Sequence, residues 1–140
     1  MKHLILLLLF LAAGLKAHSQ TEKEKIIRNY FSGWEKKDWN IVAKNLAEGF
    51  TFTSAAPDDH ISTQQFKDKC WIQADHIKTF EFPKFAESGN QAFAIVQVIT
   101  TDNRVLRNVE FFTFEGQKIK SIEVFFGGNG LGFPTNKKVD

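Results

Sequence analysis

The chain has 140 residues, 43% of them apolar and 24% charged, with 15 Phe, one Tyr and one Cys. That length suits a single domain with one core. A lone cysteine excludes an intramolecular disulfide and a cysteine-based metal site. A formal net charge of +2 with no basic block argues against a nucleic-acid surface.

The N-terminus reads as a secretory signal peptide over residues 1–19. Met1-Lys2-His3 is a short basic start, Leu4 to Leu11 is dominated by leucine, and Ala17-His18-Ser19 offers small residues where cleavage requires them. The apolar run is too short to span a bilayer, and no Cys follows it to take a lipid anchor. The expectation is an exported protein, periplasmic or secreted, with no stable membrane anchor once the signal is removed. Loss of Lys2 and Lys16 lowers the basic count from 18 to 16 and equals the 16 acidic residues, so the mature chain is formally neutral. Residues 20–128 then form the domain, and residues 129–140 form a tail expected to be flexible.

Thr21-Glu22-Lys23-Glu24 has the spacing of a capping box, and Ile26, Ile27, Tyr30, Phe31 and Trp34 recur at helical spacing. They predict a first helix with a wide apolar stripe. Asp38 is placed to cap a second, shorter helix carrying Val42 and Leu46, with Gly49 as its stop. Phe50 to Ser54 alternates and predicts a short strand, followed by a loop from Ala55 to His60. Ser62-Thr63-Gln64-Gln65 is a second capping box, flanked by Ile61 and Phe66 at the positions of a hydrophobic staple. It opens a third helix that runs through Cys70 and Trp71 to about Asp75. Cys70 lies on the apolar stripe of that helix, as a buried small hydrophobe would.

Lys78 to Glu87 alternates around Phe80, Phe82 and Phe85, and Pro83 marks a bulge or an edge strand. Three runs rich in Val, Ile and Phe follow: Ala92 to Ile99, Val105 to Phe114, and Ile119 to Phe126. Asp102-Asn103 and Glu115-Gly116 separate them. Links this short impose antiparallel neighbours. Gly127-Gly128-Asn129-Gly130 ends the meander and opens no helix, so it is a poor phosphate loop. The predicted class is α+β, with three N-terminal helices on one face of a curled, mostly antiparallel sheet.

Glu110 stands out. Alternation places Glu110, Phe112 and Phe114 on one face, and Val109, Phe111 and Thr113 on the other. A carboxylate sharing its face with two phenylalanines fits a concave, partly apolar pocket; an exposed site at a sheet edge is the other placement the pattern allows.

The element order, the size, and Lys37-Asp38-Trp39 leading into Leu46-Ala47-Glu48-Gly49-Phe50 resemble the nuclear transport factor two-like superfamily, and within it the SnoaL-like proteins. The ending from Val109 to Gly116 and from Ile119 to Phe126 is similar to that family's closing hairpin. The likeness spans roughly residues 22–128. It implies a cone in which a curved sheet wraps against helices around a pocket, and a homodimer formed through the sheet. Ketosteroid isomerases are relatives. The resemblance places their first-helix tyrosine on Tyr30, their acidic oxyanion donor on Glu110, and their general base on Ser54, which cannot serve as one unaided.

Candidate catalytic residues are therefore Glu110 and Tyr30, with Asp59 and His60 as a second acid–base pair near the expected pocket mouth. Pro-Asp-Asp ahead of a helix is equally ordinary turn chemistry. Candidate ligand-binding residues are Trp34, Ser54, Trp71 and Phe112, which also suit a plain core. His76, near a helix end, reads as structural. His60 and His76 lack metal spacing, and no cofactor is implied. Two functions follow: binding of a small apolar or aromatic molecule, with proton transfer or hydrolysis if it is an enzyme, or a non-catalytic dimerisation or interaction module using Val105, Val109, Phe111 and Phe125.

Overall fold

The computed structural model describes residues 19–126. The predicted signal peptide, apart from Ser19, and the predicted glycine-rich end and tail lie outside the described residues. Helix α1 (Glu22–Lys36) leads through α2 (Trp39–Lys44) into strand β1 (Leu46–Thr53). A two-residue strand β2 (Ile61–Ser62), helix α3 (Thr63–Cys70) and a tighter 3-10 turn (Trp71–His76) precede the meander. That meander comprises β3 (Ile77–Ser88), β4 (Gln91–Thr100), β5 (Val105–Glu115) and β6 (Lys118–Phe126).

The caps explain where the helices begin. Thr21 Oγ1 accepts from the Glu24 N–H at 3.2 Å, but Glu24 does not reach back to complete a box. Its carboxylate turns to Arg28, at 2.7 and 2.9 Å, and the Arg28 guanidinium lies 4.7 Å from the Phe82 ring centre. The ion pair and the ring outbid the local cap. Asp38 caps α2 through the Asn40 N–H, as its sequence position predicts. Ser62 and Gln65 form the reciprocal capping box of α3, at 3.3 and 2.9 Å.

Helix α2 is shorter than its apolar spacing suggests. It ends at Lys44, Leu46 already belongs to β1, and Gly49 lies within that strand instead of stopping a helix. Gly49 adopts φ +65°, where the β1–β6 register shifts between Leu46 and Thr51. A positive φ at a bulge is a position that glycine tolerates without cost. The third predicted helix divides after Cys70, where the backbone tightens into the 3-10 turn.

The six strands form one sheet in the order β2-β1-β6-β5-β4-β3. All neighbours are antiparallel except β1 and β6, which run parallel with Phe52 opposite Ile122 and Thr53 opposite Glu123. Strand β3 is both an edge and a bulged strand, its register shifting between Glu81 and Lys84 around Pro83. The helices cover one face. Ile27, Tyr30, Phe31 and Trp34 of α1 are all buried, and they pack with Phe112, Phe114, Ile119 and Ile122 from the inward side of β5 and β6.

Two ring clusters fill this concave side. Phe31 sits among Phe80, Phe82 and Phe112, with ring centres 4.6, 5.1 and 6.4 Å away. Phe66 sits among Trp34, Phe50 and Phe52, at 5.9, 5.6 and 4.6 Å. Helices α1 and α2 meet so closely at Gly33 that an added Cβ would lie 2.7 Å from Val42 Cγ2 and 2.8 Å from the Val42 nitrogen. Gly33→Ala should therefore destabilise the fold by about 1–3 kcal/mol, although alanine is the better helix former. A lower urea midpoint with an unchanged m-value is the expected result.

Candidate functional site

A cavity of about 250 Å³ opens between the two ring clusters, and residues of both line it. Its polar groups come from separate elements. Tyr30 and Trp34 are one helical turn apart on the inward stripe of α1. Glu110 stands in mid-β5, in the cross-strand row Ala94–Glu110–Val124. Asn108 precedes Glu110 by two residues and so shares its face. Ser54 follows the end of β1, and Cys70 ends α3.

Glu110 faces inward with the apolar residues. It is 6% exposed, and its strand neighbours on the same face, Phe112 and Phe114, are 0% and 4% exposed. Backbone pairing to Ala94 on one side and Val124 on the other holds that orientation. No Lys, Arg or His lines the cavity. Burial without a counter-charge pushes the Glu110 carboxyl up from the ordinary 4.5 to about 8. At neutral pH it is therefore a protonated acid, able to donate a hydrogen bond.

The neighbouring groups are donors too. Burial, and then the proximity of Glu110, hold the Tyr30 phenol well above its usual range, so its hydroxyl keeps its proton. The Trp34 indole N–H is buried with no partner in hydrogen-bonding geometry, and it points near enough to the Tyr30 oxygen to oppose part of that rise. A buried donor left unpaired costs about 1–3 kcal/mol. Cys70 is half-buried, its thiol pushed up to about 11, first by burial and then by Asp58. A thiol in that state is a weak nucleophile.

The structure gathers Tyr30, Trp34, Ser54 and Glu110 of the sequence candidates into one cavity. Trp71 and Phe112 stand behind the wall. Trp71 packs on Trp34 and Trp39, with ring centres at 4.9 and 5.3 Å, and Phe112 is fully buried against Phe31. Asp59 and His60 do not reach the cavity. Their side chains are 79% and 70% exposed and bond each other at 2.5 Å, pointing to solvent. The loop closes on itself through Ser54 N–H to Asp58 O and Asp59 N–H to Pro57 O, while the His60 N–H bonds Thr53 Oγ1. This is turn chemistry. His76 is exposed and also outside the cavity. Among the described residues, no group of three or more His, Cys, Asp or Glu is placed to hold a metal ion.

Sequence reasoning passed over Asn108, Cys70 and Gln73 as lining residues. Asn108 was within reach, since the alternation that turns Glu110 inward also turns Asn108 inward. Gln73 was not, because it lies in the 3-10 turn where helical periodicity fails.

The sequence model of the SnoaL-like domain matches residues 27–122. The chain belongs to this family. No curated protein matches this SnoaL-like chain in sequence. Solved structures with a similar fold include a protein of unknown function with a cystatin-like fold from Methylobium petroleophilum. It has a TM-score of 0.67 at 16% identity, with 87% of each chain covered. A putative ketosteroid isomerase from Kribbella flavida gives 0.62 at 13% identity, covering 84% of this chain and 96% of that one. AclR, a putative hydroxylase from Streptomyces galilaeus, gives 0.64 at 12% identity, covering 76% and 79%. Likeness at these identities establishes a shared fold, which alone assigns no chemistry.

The buried acid has a consequence for stability. Between pH 4.5 and 8 an unfolded chain has lost the Glu110 proton while the folded chain retains it, so stability falls across this window and levels off above it. The cost at pH 9 approaches roughly 5 kcal/mol, by order of magnitude. Glu110→Gln should remove it. Urea denaturation at pH 6 and pH 9 should show a marked loss for the wild type and a much smaller one for the variant.

Proposed function

We propose that this exported SnoaL-like domain binds a small, neutral, ring-containing molecule bearing one hydrogen-bond acceptor, such as an aromatic ketone. The observation that carries the reading is the protonated, uncompensated Glu110 beside Tyr30 and the unpaired Trp34 N–H in a ring-lined cavity. Three donors with no cation suit a neutral oxygen acceptor better than a carboxylate or a phosphate, whose charge would be left unpaired. The volume lies at the small end of ligand cavities, which favours one or two fused rings. Glu110 can polarise a carbonyl or give it a proton. The position where the ketosteroid-isomerase likeness would put a base holds Ser54, so binding is better supported than isomerisation.

Calorimetric titration with acetonaphthone tests this reading. Affinity should be constant below pH 7 and fall as pH rises through about 8, approaching tenfold per unit above it. Glu110→Gln keeps a donor and should bind with little pH dependence, while Tyr30→Phe should weaken binding by roughly fivefold to tenfold. Absence of binding, or wild-type affinity flat across pH 6 to 10, would overturn the proposal.

A second observation supports pairing of two copies. On the outer face of the sheet Phe93 is 49% exposed and Phe125 is 53% exposed, and Phe93 stacks on Phe111 with ring centres 4.5 Å apart. Cross-strand register continues this apolar patch through Ile95 and Val109, with Phe125 at its edge where β1 pairing has ended. Sedimentation should show a dimer for the wild type and a monomer for Phe93→Glu, with the cavity's ligand affinity retained in both.

A further inference from the structure

A second cavity, of about 260 Å³, adjoins the first. It is lined by Thr53, Ser54, Ala55, Glu123, Val124 and Phe125, and both Ser54 and Val124 belong to the two cavities at once. The topology explains the junction. Strand β1 pairs with β6 only as far as Thr53 opposite Glu123. Beyond that point the Ser54 N–H turns to Asp58 O in the loop, while β6 runs on to Phe126. The sheet therefore parts beyond the Thr53–Glu123 pair, at the level of Ser54 and Val124. Val124 lies opposite Glu110 on the inner face, and alternation sends Glu123 and Phe125 to the outer side.

The two chambers differ in chemistry. The inner one carries no charge at neutral pH, because Glu110 keeps its proton there, and it holds rings and donors. The outer one is lined by the carboxylate residue Glu123, by Thr53 and Ser54, and by Phe125. Glu123 is half-buried, and no hydrogen bond or ion pair joins it to any described residue. A half-buried carboxylate beside an exposed aromatic ring attracts an organic cation, which gains both the charge and the ring face.

We infer that the outer chamber is a second subsite, reached past Ser54 and Val124, which holds an ammonium group carried on a short side chain of the molecule whose ring occupies the inner cavity. This rests on the inner-cavity reading above and extends it to a ligand class: aromatic carbonyl compounds with an aminoalkyl arm. Glu123 is the specificity-determining residue, and Phe125 flanks the cation.

The test uses three probes: acetonaphthone, its hydroxypropoxy derivative and its aminopropoxy derivative, titrated at pH 7 against wild type and Glu123→Gln. The oligomeric state of the variant is matched to wild type by sedimentation. In the wild type the amine should bind roughly fivefold more tightly than the alcohol, an advantage that shrinks with added salt. Glu123→Gln should abolish that advantage while leaving acetonaphthone affinity unchanged, and Glu123→Lys should reverse it. Equal affinity of amine and alcohol for the wild type, or an advantage that survives Glu123→Gln, overturns the subsite and leaves the inner cavity standing. Failure of acetonaphthone itself to bind overturns the inner-cavity reading and the subsite with it.

Discussion

A carboxyl group placed in the ring-lined hollow of this fold, with no cation to answer it, constrains nearly everything else about the site. Glu110 cannot turn away, because its backbone is bonded to β4 and β6 on either side and its side-chain direction follows from the pleat. It cannot ionise cheaply, because burial removes the water that would solvate the charge. It therefore stays protonated at neutral pH, and the cavity stays neutral. A core built for stability alone would carry an apolar residue there. A buried titratable group that costs stability is the kind of local inconsistency that marks functional sites.

The surroundings suit that role. Tyr30 and Trp34 stand one turn apart on α1, so a single helix presents two further donors to the same space. Gly33 lets α2 approach that helix without a side chain between them. The ring clusters around Phe31 and Phe66 close the two sides and leave the cavity between them. At its far end the parallel pairing of β1 with β6 stops at Thr53 and Glu123, and Ser54 and Val124 there border both this cavity and the adjoining one.

Comparison of sequence and structure is most instructive where they part. Helical spacing extended α2 to Leu46 and Gly49, yet pairing with β6 draws Leu46 into a strand and gives Gly49 a bulge. Tertiary hydrogen bonding overrode a short local pattern, as it does when a helix has too few turns to hold itself. The apparent capping box at Thr21 met a competitor in Arg28, which no spacing rule weighs. Asp59 and His60 had the residue types for proton transfer, but the loop closes on its own backbone and leaves both side chains in water.

The sequence by itself determined the class of the fold, the antiparallel meander, the three N-cap residues and the inward face of β5. Each depends on period, turn length or residue type, which are local properties that a linear reading preserves. The parallel docking of β1 on β6, the meeting of Tyr30, Trp34, Ser54 and Glu110, and the parting of the sheet at Ser54 were decided by tertiary structure alone. They join residues dozens of positions apart, and the free energy that brings them together is the burial of the rings as a set, which no single stretch of the chain contains.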